Sequence, residues 1–337
     1  MVKSKSKRDL VLSMPKWKNK LGARGSRPRP ARRKKARIAI VGAGRIGTAL
    51  GCALNEIGYR IEVVVTQHAA SAGRAAQLIS ADILWLTSRQ LDRLKPAEYD
   101  RIARCDLILI ATPDDVIASV AQQLVRILNL RASRGQAALS KRRFAIHVSG
   151  ALASEVLQPL RKAGFATASL HPLVSVSNSL SSNDLFRGAF FCIEGERSAL
   201  GVARSIAHDL GGKSFTIDPN SKALYHAAAV TASGHVVVLF DIALEMLGRC
   251  GLSPRRAQKV LLPLLESTVT NLSTNDPAHA LTGTFARGDL TTVTKHLAAI
   301  ESQKLRDALA AYVLLGQRSL SLAKGRAGFD QIAGLLA

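Results

Sequence analysis

The chain has 337 residues, 47% of them hydrophobic and only 4% aromatic, with a formal net charge of +23. That length allows two domains around a sizeable core of Ala, Leu, Ile and Val. No apolar run approaches the roughly 20 residues of a membrane span. Four scattered cysteines (Cys52, Cys105, Cys192, Cys250) form no C-x-x-C pair, which excludes a zinc site of that kind. Buried, reduced thiols in a cytoplasmic protein are expected instead.

The charge is uneven. Residues 1–37 hold fifteen Lys or Arg against one acid, Asp9, so +14 sits there and +9 is spread over the rest. Prolines, like charges and no sustained apolar face predict a disordered basic tail over residues 1–36. A nucleic acid would be held only through that tail, by release of counterions.

Beyond the tail, Arg37–Val41 reads as a β-branched strand entering a glycine turn, followed by a helix over Ile46–Ile57 that Gly58 stops. Arg60–Thr66 is a second strand, Ala69–Ile79 a helix and Ile83–Leu86 a short third strand. Asp106–Ala111 is another strand, with a helix over Val116–Leu128. Phe144–Val148, a helix near Ser154–Lys162, and Thr167–Leu170 continue the alternation. Strands at Ala189–Ile193 and Ser214–Ile217 flank a helix from Arg197 to Leu210. After Asp218 only helices are predicted, with breaks at Gly251–Pro254, Asn275–Pro277 and Gly325–Gly328. The expected fold is α/β, a Rossmann-type, doubly wound, mostly parallel sheet over residues 37–217. An all-helical domain for substrate binding and dimerisation follows over 218–337.

The stretch "IAIVGAGRIGTAL" places Gly42, Gly44 and Gly47 in a G-x-G-x-x-G pattern between a strand and a helix, with a second strand after it. In that context the glycines permit a tight turn, close approach of a pyrophosphate and packing of the helix. The start of the helix at Arg45 and Ile46 offers free N–H groups to the phosphates. An NAD site usually carries an acid at the tip of the second strand. Here the tip is Thr66, Gln67 and His68, while Arg45 and Arg74 could grip a ribose phosphate, so NADP is favoured over NAD. Ala111, Thr112 and Pro113 end the next strand, where they would line the cofactor. Asp114 and Asp115 read as first-turn helix acids.

His147 and His171 each follow a strand and face the same sheet edge as the glycines; His171 is the catalytic candidate of the two. Ser149 either touches the nicotinamide or caps a turn. On the helix "SKALYHAAAVTASGHVVVLF", Lys222, His226, Ala229 and Ser233 fall within about 40° of one another. Near a cofactor, Lys222 could protonate a carbonyl oxygen while His226 and Ser233 orient the substrate. Farther on, Arg287 could bind an anionic substrate group, and Asp289 either joins it or caps the next helix. No spacing suggests a metal site.

The order G-A-G-x-x-G, H-x-S-G-A, HPL, K-A-L-Y-H-A-A-A-V and T-G-x-x-A-R-G-D-x-x-T-V-x-x-H-L resembles a family of oxidoreductases. That family joins a Rossmann-like domain to domain of unknown function 2520, and the likeness covers about residues 37–300. It is similar in turn to the hydroxyacid, phosphogluconate, ketopantoate and pyrroline-carboxylate dehydrogenases and reductases. The resemblance implies a nicotinamide cofactor and a helical domain that closes the site and builds a homodimer. It also implies hydride transfer with a small carbonyl, hydroxy-acid or imine compound, ketopantoate being one case. A non-catalytic dinucleotide sensor is the alternative. In the hydroxyacid dehydrogenases a Lys is followed four residues on by Asn; Lys222 and His226 take that spacing here. Gly234 stands where the family has Asn and Thr284 where it has Pro.

Overall fold

The computed structural model describes residues 35–80, 82–132, 143–177, 183–323 and 329–337. The expected tail therefore lies, but for its last residues, outside the described residues, as does the break expected at Gly325–Gly328. Ala36–Ala337 packs as one compact unit.

Among the described residues, eight strands form one sheet: β1 (Arg37–Val41), β2 (Arg60–Thr66), β3 (Leu84–Thr87), β4 (Leu107–Ile110), β5 (Arg143–His147), β6 (Phe165–Pro172), β7 (Phe190–Gly195) and β8 (Lys213–Thr216). Their spatial order is 3-2-1-4-5-6-7-8. Every pair is parallel except β6–β7, which is antiparallel. The expected doubly wound sheet is present, and the reversal of strand order between β1 and β4 opens a crevice at their carboxyl ends.

The sheet is covered by α1 (Arg45–Glu56), α2 (Ala69–Ile79), α3 (Pro96–Ala103), α4 (Asp114–Ala132), α5 (Gln158–Lys162) and α6 (Arg197–Asp209). The two-residue period of β1 sorts its side chains between the faces. Ile38 and Ile40 pack with Leu50 and Leu54 of α1 and Ile206 of α6. Ala39 and Val41 pack with Ile117, Ala121 and Leu124 of α4. Apolar side chains on both faces explain why the strands read as continuous β-branched runs.

The chain then enters α7 (Lys222–Ala232), α8 (Gly234–Arg249), α9 (Pro254–Thr274), α10 (Pro277–Ala280), α11 (Thr284–Arg287), α12 (Leu290–Ser302), α13 (Arg306–Leu322) and α14 (Phe329–Leu336). The single helix expected across residues 221–240 is broken at Ser233, whose backbone (φ −126, ψ −72) leaves the helical region. Ile300, Leu305 and Ala308 pack with Ile242 and Met246 of α8. Val237, Val238, Val260, Leu264 and Val269 on α8 and α9 remain exposed.

Two expectations are corrected here. Pro219–Arg249 is long and apolar enough, by length and composition alone, to cross a membrane, with mean hydropathy 1.8 and none of the window buried within the chain. Its interruptions are Ser, Thr, Gly and His, with no Lys, Arg, Asp or Glu between Lys222 and Asp241, so the run is more apolar than its mixed appearance suggests. The four cysteines are all free, but Cys250 is exposed and Cys52 half-buried; Cys250 follows α8 at a helix end rather than a core position.

Candidate active site

The glycine turn is built by sterics. Gly42 has φ +93, and a Cβ there would lie 2.4 Å from the Thr112 nitrogen and 2.5 Å from the Ala111 carbonyl carbon. Only glycine fits both the conformation and the space. A Cβ on Gly47 would lie 2.4 Å from the Gly42 oxygen, whereas a Cβ on Gly44 would meet nothing within 4 Å. Gly44 precedes α1, which has no side-chain cap and no acid in its first turn. Its unsatisfied N–H groups and positive dipole end suit an anion.

This turn opens into a crevice of ≈ 650 Å³ between the tips of β1, β2 and β4 and the start of α4. Seven of the residues predicted to meet a cofactor, Gly42, Gly44, Thr66, Gln67, Ala111, Thr112 and Pro113, line it. Leu91, Val116 and Val120 give it an apolar wall suited to a flat ring. The Thr112 hydroxyl is buried without a hydrogen-bond partner among the described residues. An open approach at Gly44, an uncapped helix and an orphaned donor fit a dinucleotide. Arg45 and Arg74 are exposed and stand outside the lining, and Ile46 packs against the core.

A second pocket of ≈ 340 Å³ lies between β6 and α7, lined by His171, Leu173, His226, Ala229 and Ser233. Three members of the expected helical stripe thus share one wall. Tyr225, absent from the sequence-based expectations, places its hydroxyl 2.7 Å from His171 Nδ1. The His171 and His226 rings meet edge-on with centroids 5.5 Å apart. The Nδ1 of His226 is buried without a hydrogen-bond partner among the described residues. A Cβ on Gly150 would lie 2.3 Å from that nitrogen and 2.9 Å from His171 Nε2, so the glycine of "HVSG" makes room for both imidazoles. Burial, reinforced by Lys222 and His226, lowers the His171 pKa to about 4.

Lys222 does not face this pocket, contrary to its expected role at a carbonyl oxygen. It is 1% exposed, and its Nζ donates to Ser169 Oγ at 2.8 Å and to the Ser149 carbonyl at 3.1 Å. Helical periodicity puts Lys222 on the stripe, but α7 begins there against the sheet, which draws the side chain under β5 and β6. Burial lowers its pKa. Ser149 is likewise committed internally: Oγ donates to Asp114 Oδ2 at 2.8 Å and accepts from the Ala151 and Leu152 nitrogens. Of its two expected roles, it performs the turn cap. His147 is fully buried, accepts from the Ser149 nitrogen, and has a pKa lowered to about 3, chiefly by burial.

Arg287 ends α11 exposed and outside this pocket. Asp289 caps α12, accepting from the Thr292 nitrogen at 3.0 Å and hydroxyl at 2.7 Å, bonds that hold its pKa below the usual value. Among the described residues no group of His, Cys, Asp and Glu could hold a metal ion.

Two family models match the chain, one over each half. A Rossmann-like domain matches residues 24–172, and domain of unknown function DUF2520 matches residues 189–319. The chain joins a Rossmann-like domain to DUF2520. The boundary between the two matches falls beside the antiparallel β6–β7 pair, so the DUF2520 segment contributes the last two strands as well as helices. Among solved structures, this Rossmann-like DUF2520 chain is similar to a Bacteroides fragilis protein provisionally described as an NADP oxidoreductase (21% identity, TM-score 0.66, 86% of this chain and 99% of that one). It is also similar to a Thermotoga maritima protein (22%, 0.61, 85% and 98%). A third is an imine reductase from Myxococcus stipitatus in complex with NADP+ (16%, 0.57, 87% and 97%). These likenesses establish the shared fold. No curated protein matches the sequence.

Proposed function

We propose that this chain is an NADP-dependent oxidoreductase that transfers a hydride between nicotinamide and a small carbonyl, hydroxy-acid or imine compound. The observation that carries the reading is the crevice at Gly42–Gly47, with its open Gly44 and partnerless Thr112 hydroxyl. The description of the Bacteroides protein and the NADP+ bound to the Myxococcus imine reductase support the same cofactor class.

The nicotinamide, when bound, supplies or accepts the hydride. A reduced carbon leaves its oxygen or nitrogen in need of a proton. In this reading His171 and His226 handle that proton beside the pocket, with the Tyr225 hydroxyl fixing His171 Nδ1 and leaving Nε2 toward Gly150 and His226. Ser233 orients the substrate from the same wall. Lys222 acts through others, holding the Ser149 turn and Ser169 under the site. Arg287 and Asp289, outside the pocket in one chain, keep a substrate role only if a second chain brings them there.

The same reading gives the exposed apolar side chains of α8 and α9 to a second copy of the chain, because contiguous apolar surface of that kind marks an interface. It gives no role to a membrane, since Lys222 ties the start of α7 to the sheet. Sedimentation should show a dimer that Val237→Asp with Leu264→Asp reduces to monomers.

Calorimetry with NADPH and NADH, followed by a panel of oxo acids and cyclic imines monitored through cofactor absorbance, tests the function. Binding with turnover of at least one compound is expected. Absence of binding overturns the reading, and binding without turnover across the panel makes the chain a sensor.

A further inference from the structure

Next to the crevice lies a smaller cavity of ≈ 430 Å³ lined by Gln67, His68, Ala69, Thr87, Ser88 and Arg89. It shares Gln67, His68 and Ser88 with the crevice, so these residues form the wall between the two. Gln67 and His68 follow β2, where a Rossmann-type sheet meets the adenosine ribose of a dinucleotide. The strand order brings the tip of β3 beside them, and Ser88 N donates to the Thr66 carbonyl at 2.8 Å to fix that approach. Gln90 Oε1 accepts from both the nitrogen and the hydroxyl of Thr87, holding the turn that carries Arg89.

We propose that this cavity is the subsite for the 2′-phosphate of NADP, with Arg89 as its principal cation and His68 beside it. The inference rests on the reading of the crevice as a dinucleotide site. Arg89 is exposed and has no hydrogen bond or ion pair among the described residues. Its guanidinium fork matches a phosphate bidentately. No carboxylate lines the cavity; Asp92, one turn farther on, accepts from Gln123 Nε2 at 3.0 Å. The cavity also includes the start of α2, which has no side-chain cap and no acid in its first turn, so its dipole adds to the same field. Arg45 and Arg74, the arginines singled out by sequence, line neither cavity.

The test is calorimetric titration of the full chain with NADPH and with NADH, for the unmodified protein, Arg89→Ala, Arg89→Lys and Arg74→Ala. The unmodified chain is expected to prefer NADPH. Arg89→Ala should weaken NADPH by roughly 10- to 100-fold, the range of a hydrogen bond to a charged group, and change NADH less than about twofold. Arg89→Lys should keep part of the preference, and Arg74→Ala nearly all of it. An exposed arginine is replaced, so unchanged melting temperatures should accompany these results. Equal NADH and NADPH affinities in the unmodified chain, or a selective loss in Arg74→Ala with none in Arg89→Ala, overturn the subsite while leaving the crevice intact. Failure of both dinucleotides to bind overturns the crevice and the subsite together.

Discussion

The ammonium of Lys222 lies 2.8 Å from the hydroxyl of Ser169. The first residue of α7 is thereby bonded to the middle of β6, and the helical half is tied to the sheet under the pocket that His171 and His226 border. A cation is being used as an internal strut, at the desolvation cost such burial carries.

Replacing Lys222 by Met keeps most of the volume and removes the buried charge. The melting temperature should hold or rise, as it often does when a buried ion gives way to an apolar side chain. Turnover should fall by up to about a hundredfold through misplacement of the Ser149 turn, with dinucleotide affinity little changed. Steady-state kinetics that leave kcat at its original value would assign Lys222 to stability alone.

Gly42 and Gly44 should respond oppositely to alanine. Gly44→Ala fits the backbone (φ −73) and meets no atom within 4 Å. It should therefore fold normally, yet lose NADPH affinity at least about tenfold, because its methyl group occupies the phosphate approach. Gly42→Ala combines a left-handed φ of +93 with a 2.4 Å clash and should destabilise the whole chain. Thermal melting and calorimetry on both variants separate the two effects.

Gly150→Ala places a methyl group 2.3 Å from His226 Nδ1. The imidazoles must move apart, at a cost of about 1–3 kcal/mol for overpacking. Turnover should drop while NADPH binding persists, since Gly150 is not part of the crevice lining. A variant of undiminished kcat would separate the histidine pair from the chemistry.

Stability should fall as the solution is acidified below pH 6.5. His171 and His147 have pKa values of about 4 and about 3 in the folded chain against 6.5 for an ordinary histidine. Between those values the unfolded chain binds two protons that the folded chain refuses, so unfolding is favoured as pH drops. The slope approaches about 2.7 kcal/mol per pH unit for two protons. Melting curves from pH 8 to 5 should show it, and His171→Gln should remove about half. A flat profile would mean that the rings take up protons in place.

Much of this fold is legible in the chain. The bounds of β1, β2 and α2 match the expected ones residue for residue, because the β-branched runs stop at Gly42 and Gln67 and the Ala-rich helical run lies between His68 and Ser80. The α3 helix is absent from the sequence-based expectations, although Pro96 at its first turn and Glu98 accepting from the Lys95 nitrogen form a recognisable start signal. The site is legible in part: periodicity gathers His226, Ala229 and Ser233, but it cannot tell which end of a helix meets the sheet, so it does not reveal that Lys222 turns inward to Ser169 and Ser149. Arg89 was invisible for a different reason. Its neighbourhood with His68 arises from strand order, a relationship between distant segments that local pattern does not carry. The role of Gly150 depends on two rings from other elements, and only packing reveals it.

Cys250 is exposed, while Cys105 and Cys192 are buried and Cys52 is half-covered and bonded to the Leu78 carbonyl. A thiol-specific fluorophore should therefore attach preferentially just past the end of α8. With one dye per chain, energy transfer in mixtures of donor- and acceptor-tagged protein would act as a ruler across the proposed dimer without disturbing either cavity.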